Sequence, residues 1–382
     1  MSILLKTEDR LILRDGHPFG DIGIIGGYCR TWPLSQTLAG MVRTKIGFSK
    51  SENYFEESEN CKKILNYGIK HQIPVLENGT FLAPVPNDII FTQNKTTNKL
   101  TANILSLNLP DDSYGTDIPN KDWMIPYLNL KDKPVAAKPF FLYWDIFIKY
   151  LKEDLNSKSG DFHYFGTSAP ISDFRIHNAV NPKTLTSNTG QLFSNKSIYL
   201  KVKTETDKTE SVSILFNIED NSEQIDISGE AYLGGERKTV TLEKSTLLFP
   251  PCPQLFENKK YLKLILATHG DFGNWCPEWL MPDLEHDTIE WTTIPGTDYN
   301  VRLRSAYINT FESISGWDYA SQKPKATKKL VSPGGVYIIE LKDPAKSKNI
   351  AEQFWGKFLD SENKESSLNG YGQLFVGNII IK

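Results

Sequence analysis

Short strand-like runs dominate this chain and constrain its fold more than any other feature. Six stretches rich in β-branched and aromatic residues are typical of strands, and four have the apolar spacing of helices. Because strands and helices do not alternate regularly, the pattern predicts α+β layers rather than a parallel βαβ array. The third predicted helix is apolar on more than half its circumference, so we expect it to be packed between layers or under a partner. The predicted strands are residues 3–14, 73–85, 198–204, 211–217, 261–267 and 374–381, and the predicted helices are residues 34–46, 59–70, 139–155 and 349–359.

Length and composition indicate two globular domains. The chain has 382 residues, which is long for one core, and its 39% hydrophobic and 23% charged residues are typical of a globular protein. Asn, Thr and Ser turns give way to the strand-like run 198–202, so we predict an N-terminal domain at 1–195 and a C-terminal domain at 196–382. Exposed segments are predicted at about 91–122, as an insertion with poor β pairing, and at 204–210 and 360–368, as polar loops.

Two glycine-rich segments predict loops against which a ligand can lie. Gly23–Gly27 precedes the first predicted helix, and Gly370-Tyr371-Gly372 precedes the last strand-like run, in the glycine-rich stretch 370–377. Glycine reaches φ > 0 and admits close backbone approach, and successive N–H groups in such a turn form a concavity for anions. The alternative for the C-terminal segment is a tight hairpin turn. The candidate ligand contacts in these segments are Gly26, Gly27, Gly370, Tyr371 as a stacking ring, and Gly372.

The segment 28–50 carries four basic residues and no acidic one. Pro33 and Ser35 predict a helix start, where a hydroxyl can satisfy an unpaired amide. The N-terminus of a helix attracts phosphate through its N–H groups and its dipole. Neither a Walker A motif nor a G-x-G-x-x-G motif is present, so a nucleotide hydrolase is excluded. The candidate contacts in this segment are Arg30, Ser35, Thr37, Arg43 and Lys45.

Two further segments place cations beside glycine or tryptophan. In 233–238 two glycines precede two cations, which suits a phosphate contact, although Arg237 could instead pair with Glu236 or Glu230. In 317–329 a tryptophan precedes four lysines, in a proline-containing loop that we expect to be flexible until it binds a ligand. The net charge of −3 argues against a free-standing, sequence-independent nucleic-acid binder, so local basicity predicts an RNA groove on one face and protein partners on others. The candidate contacts are Gly234, Gly235, Arg237, Lys238, Trp317 and Lys325.

The distribution of reactive side chains predicts neither catalysis nor metal binding. The six histidines are scattered, no C-x-x-C pair is present, and the acidic cluster 283–287 is more typical of a solvated loop. We therefore predict no catalytic residue, no metal and no cofactor. Charged residues within the first twenty positions argue against a secretory signal or a membrane anchor, and isolated cysteines suit a reducing compartment, so we expect a cytoplasmic protein.

A series of short motifs spans nearly the whole chain, in an order that is hard to obtain by chance. The motifs are the opening run 4–19, Trp32-Pro33, 37–40, 174–176, 190–193, 233–237, 273–279, 315–318 and 333–337. In these motifs the chain resembles the RAMP proteins, the RNA-binding subunits of CRISPR effector complexes. It is most similar to the family of the third subunit of the type III-B Cmr complex.

The resemblance implies two tandem ferredoxin-like (RRM-like) domains and a projecting β-hairpin thumb at about 172–196. In related subunits this thumb kinks the guide RNA near its repeat-derived tag, so Arg175 and His177 are further candidate RNA contacts. The alternative is an ordinary surface hairpin that joins two domains. The implied function is a non-catalytic subunit that binds the 5′ tag of the CRISPR guide RNA and caps one end of the complex in antiviral defence. Its implied partners are the guide RNA, the large polymerase-like subunit and a backbone RAMP subunit.

Two other functions stay open at this point. One is a metal-independent RNA-processing endonuclease of the same superfamily, with His17 or His177 as the base. The other is a β-rich protein that binds carbohydrate or peptide and is unrelated to RNA. RNA of discrete length with a common 5′ end in the purified protein would favour the first function over both.

Overall fold

The computed structural model describes residues 2–14, 25–27, 29–108, 122–128, 130, 132–136, 138–205, 208–219, 225–254, 256–283, 289–318 and 323–379, and it places no side chains for 25–27, 189–191, 193 and 317. This part of the chain is a mixed α+β fold with mostly antiparallel sheets, as predicted. The helices are α1 Ser35–Lys50, α2 Ser58–Lys63, α3 Trp144–Leu151, α4 Phe162–Phe165, α5 Ser347–Phe354 and α6 Lys364–Leu368.

The described residues form 26 β-strands, which are numbered here along the chain. The first thirteen are β1 Ser2–Lys6, β2 Ile25–Gly27, β3 Gly68–Leu76, β4 Leu82–Pro84, β5 Ile89–Gln93, β6 Leu100–Ile104, β7 Ser106–Asn108, β8 Ile125–Tyr127, β9 Phe141–Tyr143, β10 Lys158–Gly160, β11 Gly166–Thr167, β12 Ile171–Val180 and β13 Ser187–Tyr199. The others are β14 Lys201–Lys203, β15 Thr209–Glu219, β16 Gly229–Tyr232, β17 Thr239–Ser245, β18 Tyr261–Leu266, β19 Thr292–Thr293, β20 Asn300–Tyr307, β21 Phe311–Ile314, β22 Trp317–Asp318, β23 Lys323–Pro324, β24 Lys328–Val331, β25 Val336–Leu341 and β26 Leu374–Asn378.

The first large sheet has the order β14-β15-β1-β17-β16, and β3 also pairs with β15. Helix α1 covers this sheet because Leu38, Val42 and Ile46 recur every four positions and are buried against it. The same core contains Ile3 of β1 and Phe216 of β15. The N-terminal strand is therefore held by residues more than 200 positions away.

The second large sheet has the order β19-β20-β25-β18-β26. Its central strand β25 is buried along its whole length, which explains its nearly continuous apolar sequence. In each large sheet four strands lie side by side in the same order. If the four are numbered along the chain, their order across the sheet is 2-3-1-4: β3-β15-β1-β17 in one sheet and β20-β25-β18-β26 in the other. The two halves of the protein thus repeat one antiparallel pattern that the sequence does not show.

Helix α3 packs on the second sheet although it belongs to the N-terminal half. Phe147 is buried, and its ring centroid lies 5.2 Å from that of Phe375 on β26. Nearby, the buried Lys263 ammonium lies 2.8 Å from an Asp88 carboxylate oxygen, and Tyr150 donates to the same carboxylate. The prediction that this helix is packed between layers is confirmed, and its burial contributes about 2–3 kcal/mol per large apolar side chain.

The predicted domain boundary at 195/196 falls inside β13, and the first sheet does not follow it. Strand β1 pairs with β15 and β17, which both lie beyond residue 196. The sheet-to-sheet transition along the chain instead lies between β17 and β18. Local composition cannot locate this transition, because the pairing of β1 is a long-range contact.

Several local predictions are corrected by the structure. The composition of 91–122 predicts an exposed insertion with poor β pairing, but β5 pairs with β6, and Phe91, Leu100 and Ala102 are buried; residues 109–121 lie outside the described part. The alternation of buried and polar positions in these strands, not their composition, is the relevant signal. The predicted loop 360–368 contains α6, which Asn363 caps by accepting the Ser366 N–H. Among the residues placed by the structure, no helix has the length and apolarity required to cross a membrane.

Candidate nucleic-acid interface

A long β-hairpin, formed by β12 and β13, is the element around which the candidate site is built. The hairpin predicted from the sequence is confirmed, with Arg175 opposite Asn195 and His177 opposite Phe193. Strand β2 pairs in parallel with β13, and this pairing sets Gly26 beside Ser194 and Gly27 beside Asn195. Two predicted sites that are separated by about 150 positions in the sequence therefore share one small sheet.

The two faces of this hairpin differ in chemistry because successive strand residues point to opposite sides. Arg175 and His177 belong to the polar face, where the exposed Arg175 lies 2.7 Å from Asp173. Phe174 and Ile176 belong to the other face and are each 64% exposed. The hairpin thus offers a cation on one face and an uncovered aromatic ring on the other.

The turn 234–237 lies beside the polar face of the hairpin. Asn195 donates to the Glu236 carboxylate at 3.1 Å, and the Gly235 N–H donates to the Ile12 carbonyl at 2.7 Å. Gly234, Glu236 and Arg237 all have positive φ, with values of 79°, 57° and 47°. Two consecutive non-glycine residues in this conformation mark a strained turn of the kind that concentrates at functional sites.

Arg237 is exposed at the outer side of this turn. Its guanidinium forms neither of the ion pairs considered above, since Glu236 accepts from Asn195, and no side chain that the structure describes pairs with it. The neighbouring Lys238 lies 3.8 Å from Asp9 and is mostly covered. Of the two cations predicted in this turn, Arg237 is therefore the one available to a phosphate.

The described residues of 311–331 form paired strands, whereas the composition of 317–329 predicts a flexible loop; residues 319–322 lie outside the described part. Strand β21 pairs with β24, and β22 pairs with β23 beyond them. Lys325 and Lys329 are exposed, whereas Lys328 lies 2.9 Å from Asp271. The structure gives the backbone position of Trp317 in β22, so its role as a stacking ring stays a prediction.

Arg30 connects the two hairpins. It follows Gly27 by three positions, a span of at most about 11 Å, and its guanidinium pairs with Glu312 of β21. His269 lies 3.3 Å from the same carboxylate. Burial raises the pKa of Glu312, but the hydrogen bonds and charges of His269 and Arg30 outweigh this effect and lower the pKa to about 2. Arg30 is thus engaged within the protein and holds the second hairpin near β2.

The Arg43 guanidinium group donates hydrogen bonds to several acceptors within the protein. Its guanidinium donates to the carbonyl oxygens of Tyr67, Leu65 and Leu368 at 2.9, 3.2 and 3.3 Å and to the Asn369 side chain at 2.7 Å. Burial lowers its pKa from 12.5 to about 10. Leu368 and Asn369 lie at the C-terminal end of α6, so Arg43 fastens α1 to the C-terminal segment.

The other candidates on α1 are also turned inward or occupied. Ser35 is buried and caps nothing, because the N-cap position is Leu34, without a side-chain bond. Thr37 is half-buried in the first turn, and the Lys45 ammonium donates to the Glu230 carbonyl at 2.7 Å. The predicted phosphate site at this helix start therefore receives no support from these contacts.

The C-terminal glycine turn is covered by the protein itself. Gly370 and Gly372 have φ of 80° and 77°, as expected, but both are buried. The Gly372 N–H donates to the His269 carbonyl at 2.6 Å, and the Gly370 carbonyl accepts from Gln72. Tyr371 is 2% exposed and packs with Leu34, Ile314 and Leu330. The prediction of an open loop with a stacking ring is corrected, because this turn joins the two large sheets.

The structure therefore brings together β2, the hairpin β12–β13 and the turn 234–237, and it buries the C-terminal turn within the protein. The exposed apolar residues Phe174, Ile176 and Leu192 were not chosen as site residues from the sequence. The alternation Phe174-Arg175-Ile176-His177 was the available signal, because in a projecting hairpin it leaves both faces open. His17 lies outside the described residues.

The described part of this surface also bears on metal binding. Among the residues that the structure places, no three His, Cys, Asp or Glu side chains are arranged to hold a metal ion. The surface can instead offer cations to phosphates and an aromatic ring to an unstacked base.

Comparisons with known proteins relate the chain to one family. The family described as CRISPR-associated protein (Cas_Cmr3) matches residues 3–379. A chain of the type III-B Cmr-beta complex bound to cognate target RNA and AMPPnP is 16% identical, with 97% of this chain and 95% of that chain covered and a TM-score of 0.48. A second structure, of Cmr-beta bound to cognate target RNA, gives 15% identity, 98% and 96% coverage and a TM-score of 0.49. A Csm3–Csm4 subcomplex of the type III-A interference complex gives 13% identity, 90% and 94% coverage and a TM-score of 0.36. No curated protein matches the chain.

Proposed function

Because the chain belongs to the Cas_Cmr3 family of CRISPR-associated proteins, we propose that it is the RNA-binding third subunit of a type III-B CRISPR effector complex. Membership in this family confirms the resemblance drawn from the sequence motifs. In the proposed function the protein binds the 5′ tag of the guide RNA and caps one end of the complex. Its neighbours are the large polymerase-like subunit and a backbone RAMP subunit, and its role in antiviral defence is structural.

One observation carries the proposal: the pairing of β13 with β2, beside the turn 234–237. This arrangement leaves Arg175 and Arg237 exposed near glycine backbone and leaves Phe174 uncovered on the opposite face. Cations position a nucleic-acid backbone without regard to sequence, and an aromatic ring accepts a base that has left the stack. A hairpin with both features suits a single strand that bends around it.

The proposed role is non-catalytic. Of the two candidate bases, His177 lies in the described part of the chain and is half-buried on the polar face of the hairpin. Incubation of the protein with repeat RNA in the presence of EDTA should leave the RNA intact. Reproducible cleavage that the His177→Ala variant loses would instead establish the endonuclease function.

The repeated strand order supports a further structural proposal, that the two large sheets are two ferredoxin-like modules. In the described residues the first module has α1 and α2 between its first and second strands, and the second has α5 and α6 between its third and fourth strands. Helix α3, from the N-terminal half, covers the second sheet.

The function is tested by the RNA that the protein binds in its native host. Purification of the complex through this chain, followed by sequencing of the RNA, should yield guides with one common 5′ end. Anisotropy titrations with that RNA and with a probe of scrambled 5′ end should then show tighter binding to the native end. Equal affinity for the two probes would contradict tag recognition, and RNA without a common 5′ end would contradict the proposed function.

A further inference from the structure

A small surface pocket lies at the outer edge of the second large sheet, where β19 pairs with β20. Its volume is about 260 Å³. This volume is below the ~300–1,000 Å³ of pockets that hold whole cofactors or drug-sized ligands, so the pocket suits a single side chain. None of the elements of the candidate RNA interface lines it. The residues that matter for its chemistry are Trp279, Met281, Asp283, Glu290, Trp291 and Leu303.

The lining combines aromatic rings with negative charge. Two tryptophans form part of the wall, Asp283 and Glu290 are exposed beside them, and none of the described lining residues is Lys, Arg or His. An RNA phosphate would meet two carboxylates and no cation among the described lining residues. A cation would find tryptophan rings and opposite charge, the combination that recognises ammonium and guanidinium groups.

The protein already uses one of these rings in this way. The guanidinium carbon of Arg302 lies 4.8 Å from the centroid of the Trp291 ring. Arg302 is held there by Glu340, whose carboxylate accepts from Arg302 Nε at 2.8 Å. Trp291 nevertheless stays 38% exposed, so part of its ring is available to a second group. Trp279 is fixed by the bond from its indole N–H to the Leu359 carbonyl at 3.1 Å.

We propose that this pocket binds an arginine side chain of another protein subunit of the complex. A planar guanidinium can stack on the tryptophans while it pairs with Glu290, which a compact ammonium does less well. The inference rests on the proposed function only in taking the neighbouring subunit as the source of the arginine. The pocket would make this edge of the second sheet a protein-facing surface, separate from the RNA-facing hairpins.

The test uses the full chain with ¹⁵N-labelled tryptophan indoles. The probe is N-acetyl-argininamide, the matched neutral control is N-acetyl-citrullinamide, and a third titration uses adenosine monophosphate. The Trp291 signal is assigned by its loss in the Trp291→Phe variant. We expect a saturable shift of the Trp291 indole N–H with the arginine probe and a much smaller one with the other two compounds.

The Glu290→Gln variant keeps the shape of an exposed side chain and removes its charge. It should weaken binding of the arginine probe by about threefold, as for an exposed ion pair. Its affinity for the guide RNA should equal that of the parent, which distinguishes failure of this inference from failure of the proposed function. An equal response to citrullinamide, a response to adenosine monophosphate alone, or no shift with any probe would overturn the inference.

Discussion

Two glycine turns whose first glycine has nearly the same φ have opposite environments in this protein. Gly234 and Gly370 have φ of 79° and 80°. In both turns the glycine is required by close approach of the chain itself: a Cβ on Gly234 would lie 2.5 Å from the Ile12 carbonyl oxygen, and one on Gly370 would overlap the Gln72 side chain. Glycine therefore marks close approach, and it does not say whether a ligand or the protein approaches.

The two turns differ in the environment of the residues that follow the glycine. Glu236 and Arg237 continue the first turn into solvent beside the hairpin, whereas Tyr371 continues the second into a buried cluster. The first turn thus presents a cation to a partner, and the second joins two sheets. Glycine turns elsewhere should be judged by the exposure of the residues that follow the glycine.

The largest expected effect is on the buried turn. Gly370→Ala should lower the free energy of unfolding by about 2–4 kcal/mol, because the new Cβ adds overlap with Gln72 to an unfavourable positive φ. RNA affinity per folded molecule should not change. Denaturant unfolding and anisotropy titration on one preparation measure both quantities.

Gly79→Ala is the matched control for this variant. Gly79 has φ of 85° with no atom within 4 Å of the added Cβ, so it isolates the backbone term of about 1–2 kcal/mol. If Gly370→Ala lost RNA affinity while its stability matched that of Gly79→Ala, the C-terminal turn would belong to the RNA site after all.

The second effect concerns Arg43, which fastens α1 to the segment that carries the buried turn. Arg43→Ala should destabilise the protein by about 2–3 kcal/mol, because it leaves several acceptors without their donor. The slope of log K against log salt for RNA binding should stay as in the parent. A flatter slope in this variant would return Arg43 to the phosphate contacts.

The exposed turn should show the reverse behaviour. Arg237→Ala should weaken RNA binding by about 1 kcal/mol and flatten the salt slope by about 0.7, the value for one phosphate contact on a single strand. Its unfolding free energy should stay within about 0.5 kcal/mol of the parent, as for exposed sites. Lys62→Ala removes an exposed charge on α2 and is the control; equal losses in both variants would indicate a general charge effect.

The smallest expected effect is a pH dependence of the free energy of unfolding, which arises from Glu312. Since the pKa of Glu312 is lowered in the folded state to about 2 from an ordinary 4.5, its contribution is present above pH 4.5 and is lost as the pH falls towards 2. Because Glu312 is partly exposed, the contribution should be less than about 1 kcal/mol. The free energy of unfolding of the parent should depend more steeply on pH in this window than that of Glu312→Gln. Parallel curves would show that the Arg30–Glu312–His269 network does not contribute to stability.

The sequence predicted features that depend on neighbouring residues. The α+β class, helix α1 and strands such as β15 and β18 follow from local periodicity, and the hairpin lies where the motif 174–176 placed it. The predicted site residues Gly27, Arg175 and Gly235 are brought to one surface. Their proximity was not derivable, because it depends on the parallel pairing of β2 with β13.

Only the tertiary structure decided which polar residues are free and which are enclosed. Arg43 finds Asn369 at a separation of 326 positions, and Gln72 reaches Gly370 across 298. No local pattern encodes such pairings, since a cation or a glycine has the same sequence signal whether its partner is a phosphate or a distant carbonyl. By itself the sequence determined the family, the fold class and part of the elements, such as helix α1 and strands β15 and β18. Burial between the two sheets decided that the turn at 234–237 faces outward and the turn at 370–372 faces in.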